Sequence, residues 1–109
     1  MYCRLGVASA AVTLAMVPAP PDAIRVDGWI QYDDNDWRRQ FMSTDKHTIP
    51  GMDDGDHIDV SVRGEQVQTG DVLRRYAYVA GTGAFSAAQL RQLAAECLNA
   101  ADTLDDLDG

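Results

Sequence analysis

The sequence predicts an α+β fold: a four-stranded antiparallel meander with one C-terminal helix packed across one face. Three observations predict it. Apolar and polar residues alternate through residues 24–32, 57–63 and 72–80, clusters of Asp, Asn and Gly separate the runs, and one stretch after Gly83 switches to the helical period. Strands in series followed by a helix give a sheet with a helix laid over one face. With 109 residues there is room for one core. We therefore expect a single α+β domain over residues 24–109, preceded by an apolar N-terminal segment and Pro-rich linker over residues 1–23.

Leu5 to Val17 is an apolar run preceded by Arg4 and followed by Pro18-Ala19-Pro20-Pro21. It is too short to span a bilayer, which takes roughly 20 residues, and it imitates a secretory signal. Proline obstructs both cleavage positions. Cutting after Ala19 puts Pro20 first, and cutting after Ala23 leaves Pro21 three residues before the cut. The expectation is a retained segment, with Val7, Val12, Leu14 and Met16 supplying an extra strand or short helix. The protein is then cytoplasmic, the alternative being a secreted or envelope protein.

In the first strand Ile24, Val26, Ile30 and Tyr32 share one face, and Arg25, Asp27 and Gln31 the other, as in a half-buried strand. Asp33-Asp34-Asn35-Asp36 is turn chemistry, and Trp37 to Ser43 returns. A two- or three-residue loop places Trp29 on opposite sides relative to Phe41, so that register stays open. Thr44 to Asp56, with Pro50-Gly51 and Asp54-Gly55, reads as irregular. In the third strand Ile58, Val60 and Val62 face in and Gly64 marks a bulge. Thr69-Gly70-Asp71 makes the next turn, and Val72 to Ala80 the fourth strand.

The helix begins at Ser86, an N-cap with Gln89 three residues on as in a capping box. Leu90, Leu93, Ala94, Cys97, Leu98, Ala101 and Leu104 form its stripe, with Leu93 and Cys97 expected to be buried against Val60, Val62 or neighbouring strand residues. Asp102, Asp105, Asp106 and Asp108 crowd the end where the macrodipole disfavours negative charge, predicting fraying beyond Asp102.

Composition narrows the function classes. The net charge is −8, from fifteen Asp, two Glu, eight Arg and one Lys. Such a field repels phosphate backbones and anionic headgroups, so direct nucleic-acid binding is not expected, and the shortness of the one long apolar run leaves no membrane span expected. The Asp/Arg bias with abundant Ala and Gly is what a high-GC genome encodes. Cys3 and Cys97 alone make neither a disulfide framework nor a zinc site.

No enzyme signature emerges. His47 and His57 are the only imidazoles, Gly81-Thr-Gly83 lacks the Lys and hydroxyl of a phosphate loop, and no Gly-x-Ser-x-Gly elbow occurs. Asp53-Asp54-Gly55-Asp56-His57 is the best metal candidate, but Gly55 falls where a calcium loop needs a ligand. No catalytic residue, metal or cofactor is expected. The paired arginines Arg38-Arg39 and Arg74-Arg75 sit in strands, so alternation sends one of each pair to either face. Such side chains either hold an anion, pair with acids, or lie over aromatic rings. Tyr76 and Tyr78 share a face. Together with Trp29, Arg38 and Arg74 they form the candidate interaction surface on the uncovered side of the sheet.

From Val60 onward the chain resembles short uncharacterised proteins of actinobacteria and of mycobacteriophage-type phages. The residues are Val60-x-Val62-x-Gly64-x-Gln66, Gly70, a basic-apolar strand, Ser86-Ala-Ala-Gln-Leu-Arg-Gln-Leu-Ala-Ala, and Ala100-Ala101-Asp102. Cys97 and Asn99 stand where that pattern has Ala or Leu. The resemblance implies a sheet followed by an Ala-rich helix and no particular activity. The sequence thus points to a small acidic protein-binding module acting through the bare sheet face, of phage or prophage origin. An acidic nucleic-acid mimic that occupies a basic DNA- or RNA-binding protein is the alternative. A homodimer, through the uncovered face or an unpaired edge strand, is also expected.

Overall fold

A computed structural model describes residues 14–109. Its sheet is antiparallel and contains β1 (Arg25–Val26), β2 (Ile30–Asp33), β3 (Asp36–Met42), β4 (His47–Pro50), β5 (His57–Val67) and β6 (Val72–Thr82), followed by helix α1 (Ala87–Asp108). The six strands occupy four rungs. β1 and β2 lie in succession along β3, β3 and β4 lie in succession along one side of β5, and β6 runs along its other side. This is the expected meander with its first strand broken in two and a short extra strand, β4, continuing the rung of β3.

Each departure has a local cause. Residues 27–29 leave the ladder, and the pairings Val26 with Phe41 and Ile30 with Arg38 fall on opposite faces. The half-buried strand expected at 24–32 is therefore two short exposed pieces. The stretch expected to be irregular holds β4, whose Ile49 is wholly buried opposite Ile58. Between β3 and β4, Ser43 N–H donates to the Val62 carbonyl (2.8 Å), and Thr44 Oγ1 accepts the Val62 N–H (3.0 Å), so side chain and backbone bridge the gap.

Gly64 is not a bulge. It pairs with Phe41, and any Cβ there would meet the Phe41 ring, so the glycine makes room for the aromatic side chain. The irregularity comes one residue later, where Leu73 is inserted between the pairs Glu65–Arg74 and Gln66–Val72. The β5–β6 hairpin closes with Gly70 N–H to the Val67 carbonyl and Val67 N–H to the Asp71 carbonyl, both 2.9 Å. Gly70 has φ +95°, a conformation glycine adopts without a Cβ penalty.

Both covering layers lie on one face of the sheet. Ile49, Val60, Val62 and Ala100 are buried together, with Ile58, Leu93, Leu104 and Leu107 packed against them. The capping box forms as expected: Gln89 N–H donates to Ser86 Oγ (3.2 Å) and Ser86 N–H to Gln89 Oε1 (2.8 Å). Helix α1 continues through Asp108, past the expected fraying point, because Leu104 and Leu107 anchor its last turns.

Leu93 is half-buried on the core, but Cys97 is exposed, contrary to expectation. The buried seam runs Leu93, Ala100, Leu104, Leu107, and Cys97 lies roughly 40–60° round the helix from its centre. Glu96, on the other flank, reaches His47 of β4 (3.6 Å), which turns Leu90, Cys97 and Ala101 toward β6.

Beyond the helix, residues 14–22 cover the same face. Leu14 and Pro20 are buried, Arg39 donates to the Val17 carbonyl (3.0 Å) and Gln66 to the Pro18 carbonyl (2.9 Å). Residues 14–16 are helical, and residues 18–21, expected to be a stiff linker, are bound to the sheet. Val7 and Val12 lie outside the described residues. Asp22 clamps the segment: Arg75 donates two hydrogen bonds to it (2.7 and 3.1 Å), and Ser43 Oγ donates a third (2.6 Å).

The Arg75 hydrogen bonds hold the Asp22 carboxyl below its usual range, against the opposing effect of burial, with Ser43 assisting. A depressed folded-state pKa stabilises the fold above the unfolded value of about 4, and that contribution is lost as pH falls through the folded value. Thermal melts from about pH 6 to pH 2 should show Tm falling below roughly pH 4, with a smaller fall in Asp22→Asn. An equal fall in both proteins would place the acid sensitivity elsewhere.

Candidate functional site

Strand alternation sorts the candidate residues between the two faces. Val62 and Val60 look toward the helix, so Asp59, Ser61, Arg63 and Glu65 look away. Their partners across the ladder are Ala80, Tyr78, Tyr76 and Arg74 on β6, and Gln40 and Met42 on β3. Arg38 and Ile30, paired with one another, share this face, and Tyr32 joins them by lying against Arg38. No described segment covers it.

The face carries a ladder of alternating arginines and tyrosines. The Arg38 guanidinium lies 4.7 Å from the Tyr32 ring centre, Arg74 4.9 Å from Tyr76, and Arg63 4.3 Å from Tyr78. Such stacking draws the cation to the negative face of the ring. At the centre Glu65 is held between Arg74 Nε (3.2 Å) and Arg38 Nη1 (3.5 Å). Arg38 also makes a two-pronged contact with Asp36 at 2.9 and 3.0 Å. Its hydrogen bonds hold the Asp36 carboxyl below the usual range, and Asp36 in turn raises the Arg38 pKa.

These long side chains lie flat over the strands and bury Ser61 and Glu65 beneath them. A sheet face can then do without a second layer. It still offers Tyr32 at 55% exposure and Tyr78 at 45%. The ladder is locally basic: Arg25, Arg38, Arg63 and Arg74 lie among Asp36 and Glu65, and the other carboxylate of this face named above, Asp59, is engaged by Thr48 Oγ1 (2.6 Å) and Lys46 (4.0 Å). Arg63 is bound to the Ser61 hydroxyl (3.1 Å) and to no carboxylate among the described residues.

Of the five candidates, Arg38, Arg74, Tyr76 and Tyr78 come together on this face. Trp29 does not. Arg39 stacks on its ring at 4.5 Å from the covered side, which places Trp29 with Phe41 and the N-terminal segment. Three members had not been singled out: Tyr32, Arg63 and Glu65. For Arg63 and Glu65 the signal was available in the β5 alternation that sends Val60 and Val62 inward.

The remaining chemistry is turn construction. The Asp56 carboxylate accepts from the Ala84 N–H (3.0 Å) and the Asp53 N–H (3.3 Å), tying the β4–β5 turn to the start of α1. His57 Nδ1 lies 3.0 Å from the Gly55 carbonyl. Among the described residues no three His, Cys, Asp or Glu side chains converge as metal ligands. His47 and His57 point to opposite faces, being paired with Val60 and Pro50. A cavity of about 120 Å³ lies between β4 and α1, lined by Thr44, His47, Val60, Glu96, Ala100 and Thr103. It is smaller than the roughly 300–1,000 Å³ of small-molecule sites.

The chain is thus an α+β protein whose antiparallel meander is covered on one face and carries an Arg/Tyr ladder on the other. No protein-family model, curated protein or solved structure shows significant similarity to it. No helix among the described residues is long and apolar enough to cross a membrane.

Proposed function

We propose that this chain is a small protein-binding module rather than an enzyme, and that its bare Arg/Tyr face takes an acidic segment of another protein. The observation that carries this reading is the ladder itself. Flat guanidiniums and phenols offer both hydrogen-bond donors and large rigid contact area, the side-chain types enriched at protein interfaces. The local surplus of arginine suits a carboxylate-bearing partner, whereas the overall charge of −8 opposes a nucleic acid. Asp22 and the bound carbonyls of Val17 and Pro18 support retention of the N-terminal segment and a cytoplasmic location. Phage or prophage origin rests on the resemblance of residues 60–102.

A photo-crosslinking side chain at Tyr32 tests the reading in the native host, with the same group at exposed Leu98 as control. We expect one protein captured from position 32 and not from 98, with capture lost in Arg63→Glu. Capture from position 98 alone, or binding of mixed single-stranded oligonucleotides by the purified protein, would overturn it. The acidic-mimic alternative draws on Asp102, Asp105, Asp106 and Asp108 at the end of α1. It requires capture to fail when these are changed to Asn and to survive Arg63→Glu.

A further inference from the structure

The two edges of the sheet differ. On one side β1, β2 and β4 offer two, four and four residues, with Asp27 in the break after β1, Asp33 at the end of β2 and Pro50 at the end of β4. Short, interrupted, charged strands protect an edge from pairing. On the other side β6 presents eleven residues, Val72–Thr82, with no neighbour beyond them among the described residues.

The free backbone groups on that edge can be assigned. The Val62 carbonyl accepts from Ser43, so even-numbered residues of β5 turn their backbone groups toward β3 and odd-numbered ones toward β6. The odd residues 57, 59, 61, 63 and 65 face Thr82, Ala80, Tyr78, Tyr76 and Arg74, which are thereby satisfied. Arg75, Ala77, Val79 and Gly81 then direct N–H and C=O outward. Charge, the usual guard of such an edge, is neutralised within the chain, since Arg74 is paired with Glu65 and Arg75 with Asp22.

We propose that the outer edge of β6 pairs with the β6 of a second copy, antiparallel about a two-fold axis through Ala77. Ala77 is the midpoint of Val72–Thr82 and belongs to the outward-facing set, so this register overlaps all eleven residues and satisfies both edges. It sets Ala77 beside the partner's Ala77, Arg75 beside the partner's Val79, Tyr76 beside the partner's Tyr78, and Arg74 beside the partner's Ala80. No two like charges are opposed. Val79, 51% exposed on the covered side, gains a neighbour.

The helices contribute charge complementarity. Helix α1 starts beyond the end of β6 and packs back over β5 and β6, so the two-fold makes the two helices antiparallel. Each acidic C-terminal end then lies toward the partner's N-terminal half, which carries Arg91 and the positive end of the macrodipole. The pairing would join both Arg/Tyr ladders into one continuous surface, although it does not depend on the binding role proposed for them.

The test uses the full chain with Cys3 and Cys97 changed to Ser, followed by sedimentation equilibrium. The expected mass is twice 11.9 kDa. Ala77→Cys in that background should form a disulfide-linked dimer on mild oxidation, because Cα atoms of a hydrogen-bonded antiparallel pair lie about 5.5 Å apart, within disulfide reach. Tyr32→Cys should not cross-link. Ala77→Pro removes an outward N–H without touching the β5–β6 ladder, and Val79→Lys sets a cation against the partner's Arg75. Each should weaken association at least tenfold with native circular dichroism retained, and Val79→Lys decides the matter where the proline variant fails to fold. A monomeric parent, a dimer indifferent to Val79→Lys, or a dimer in which Ala77→Cys does not cross-link would overturn the proposal.

Discussion

Replacing Ile49 with Ala is expected to destabilise the protein by about 2–5 kcal/mol, the range for truncating a fully buried aliphatic side chain. Ile49 has 0% exposure and sits where β4, β5 and α1 meet, against Val60, Val62 and Ala100. The seam has little means of collapse, since Ala100 is already small and β4 is only four residues long. Small domains are stable by roughly 5–15 kcal/mol, so this one change removes a large share of the total. Thr48→Ala, next to it on the exposed side, loses a hydrogen bond to Asp59 (2.6 Å) and should cost about 1 kcal/mol. Urea unfolding of the two variants checks the contrast. Equal midpoints would mean that β4 is not part of the cooperative core.

Ile49 also marks where sequence reasoning stopped. It stands among Thr, Pro, Gly and Asp with Met52 three residues on, and two apolar residues at that spacing in a turn-rich stretch set no strand period to betray it. Its burial comes from the long β5, which needs neighbours on both sides and recruits the chain after β3 as β4. The alternation of β5 and β6 and the capping box of α1 were legible because each is a local pattern repeated several times. For the same reason Arg38, Arg74, Tyr76 and Tyr78 could be placed on a common face.

Helical period did identify a stripe, but only Leu93 and Leu104 of it pack on the core: Leu90, Ala94, Cys97, Leu98 and Ala101 are exposed, and Ala100 and Leu107 were omitted. A stripe wider than the contact leaves the final roll of the helix to tertiary packing, here the contact of Glu96 with His47 over β4. The irregular residues 27–29 hid the placement of Trp29, since alternation cannot be carried through a break in the ladder.

Arg39→Ala is expected to cost about 2–4 kcal/mol, the second large effect, and to loosen the N-terminal segment. Arg39 is 8% exposed, with no carboxylate in ion-pair range among the described residues. Neutral groups hold its charge: Gln66 Oε1 accepts from Nε (2.7 Å), the Val17 carbonyl from Nη2 (3.0 Å), and the Trp29 ring lies beneath the guanidinium. Burial lowers its pKa, yet an arginine starts so high that the cation persists. Truncation leaves the Gln66 and Val17 oxygens without their donor and Trp29 without its partner. Lysine restores a charge but neither the fork nor the planar stack, so Arg39→Lys should recover less than half of the loss. Trp29 fluorescence and the rate of proteolysis within residues 14–23 should report the release. If Arg39→Ala unfolds at the same urea concentration as the parent and its N-terminal segment stays protected, the segment is held by Asp22 and Arg75 without help from this buried cation.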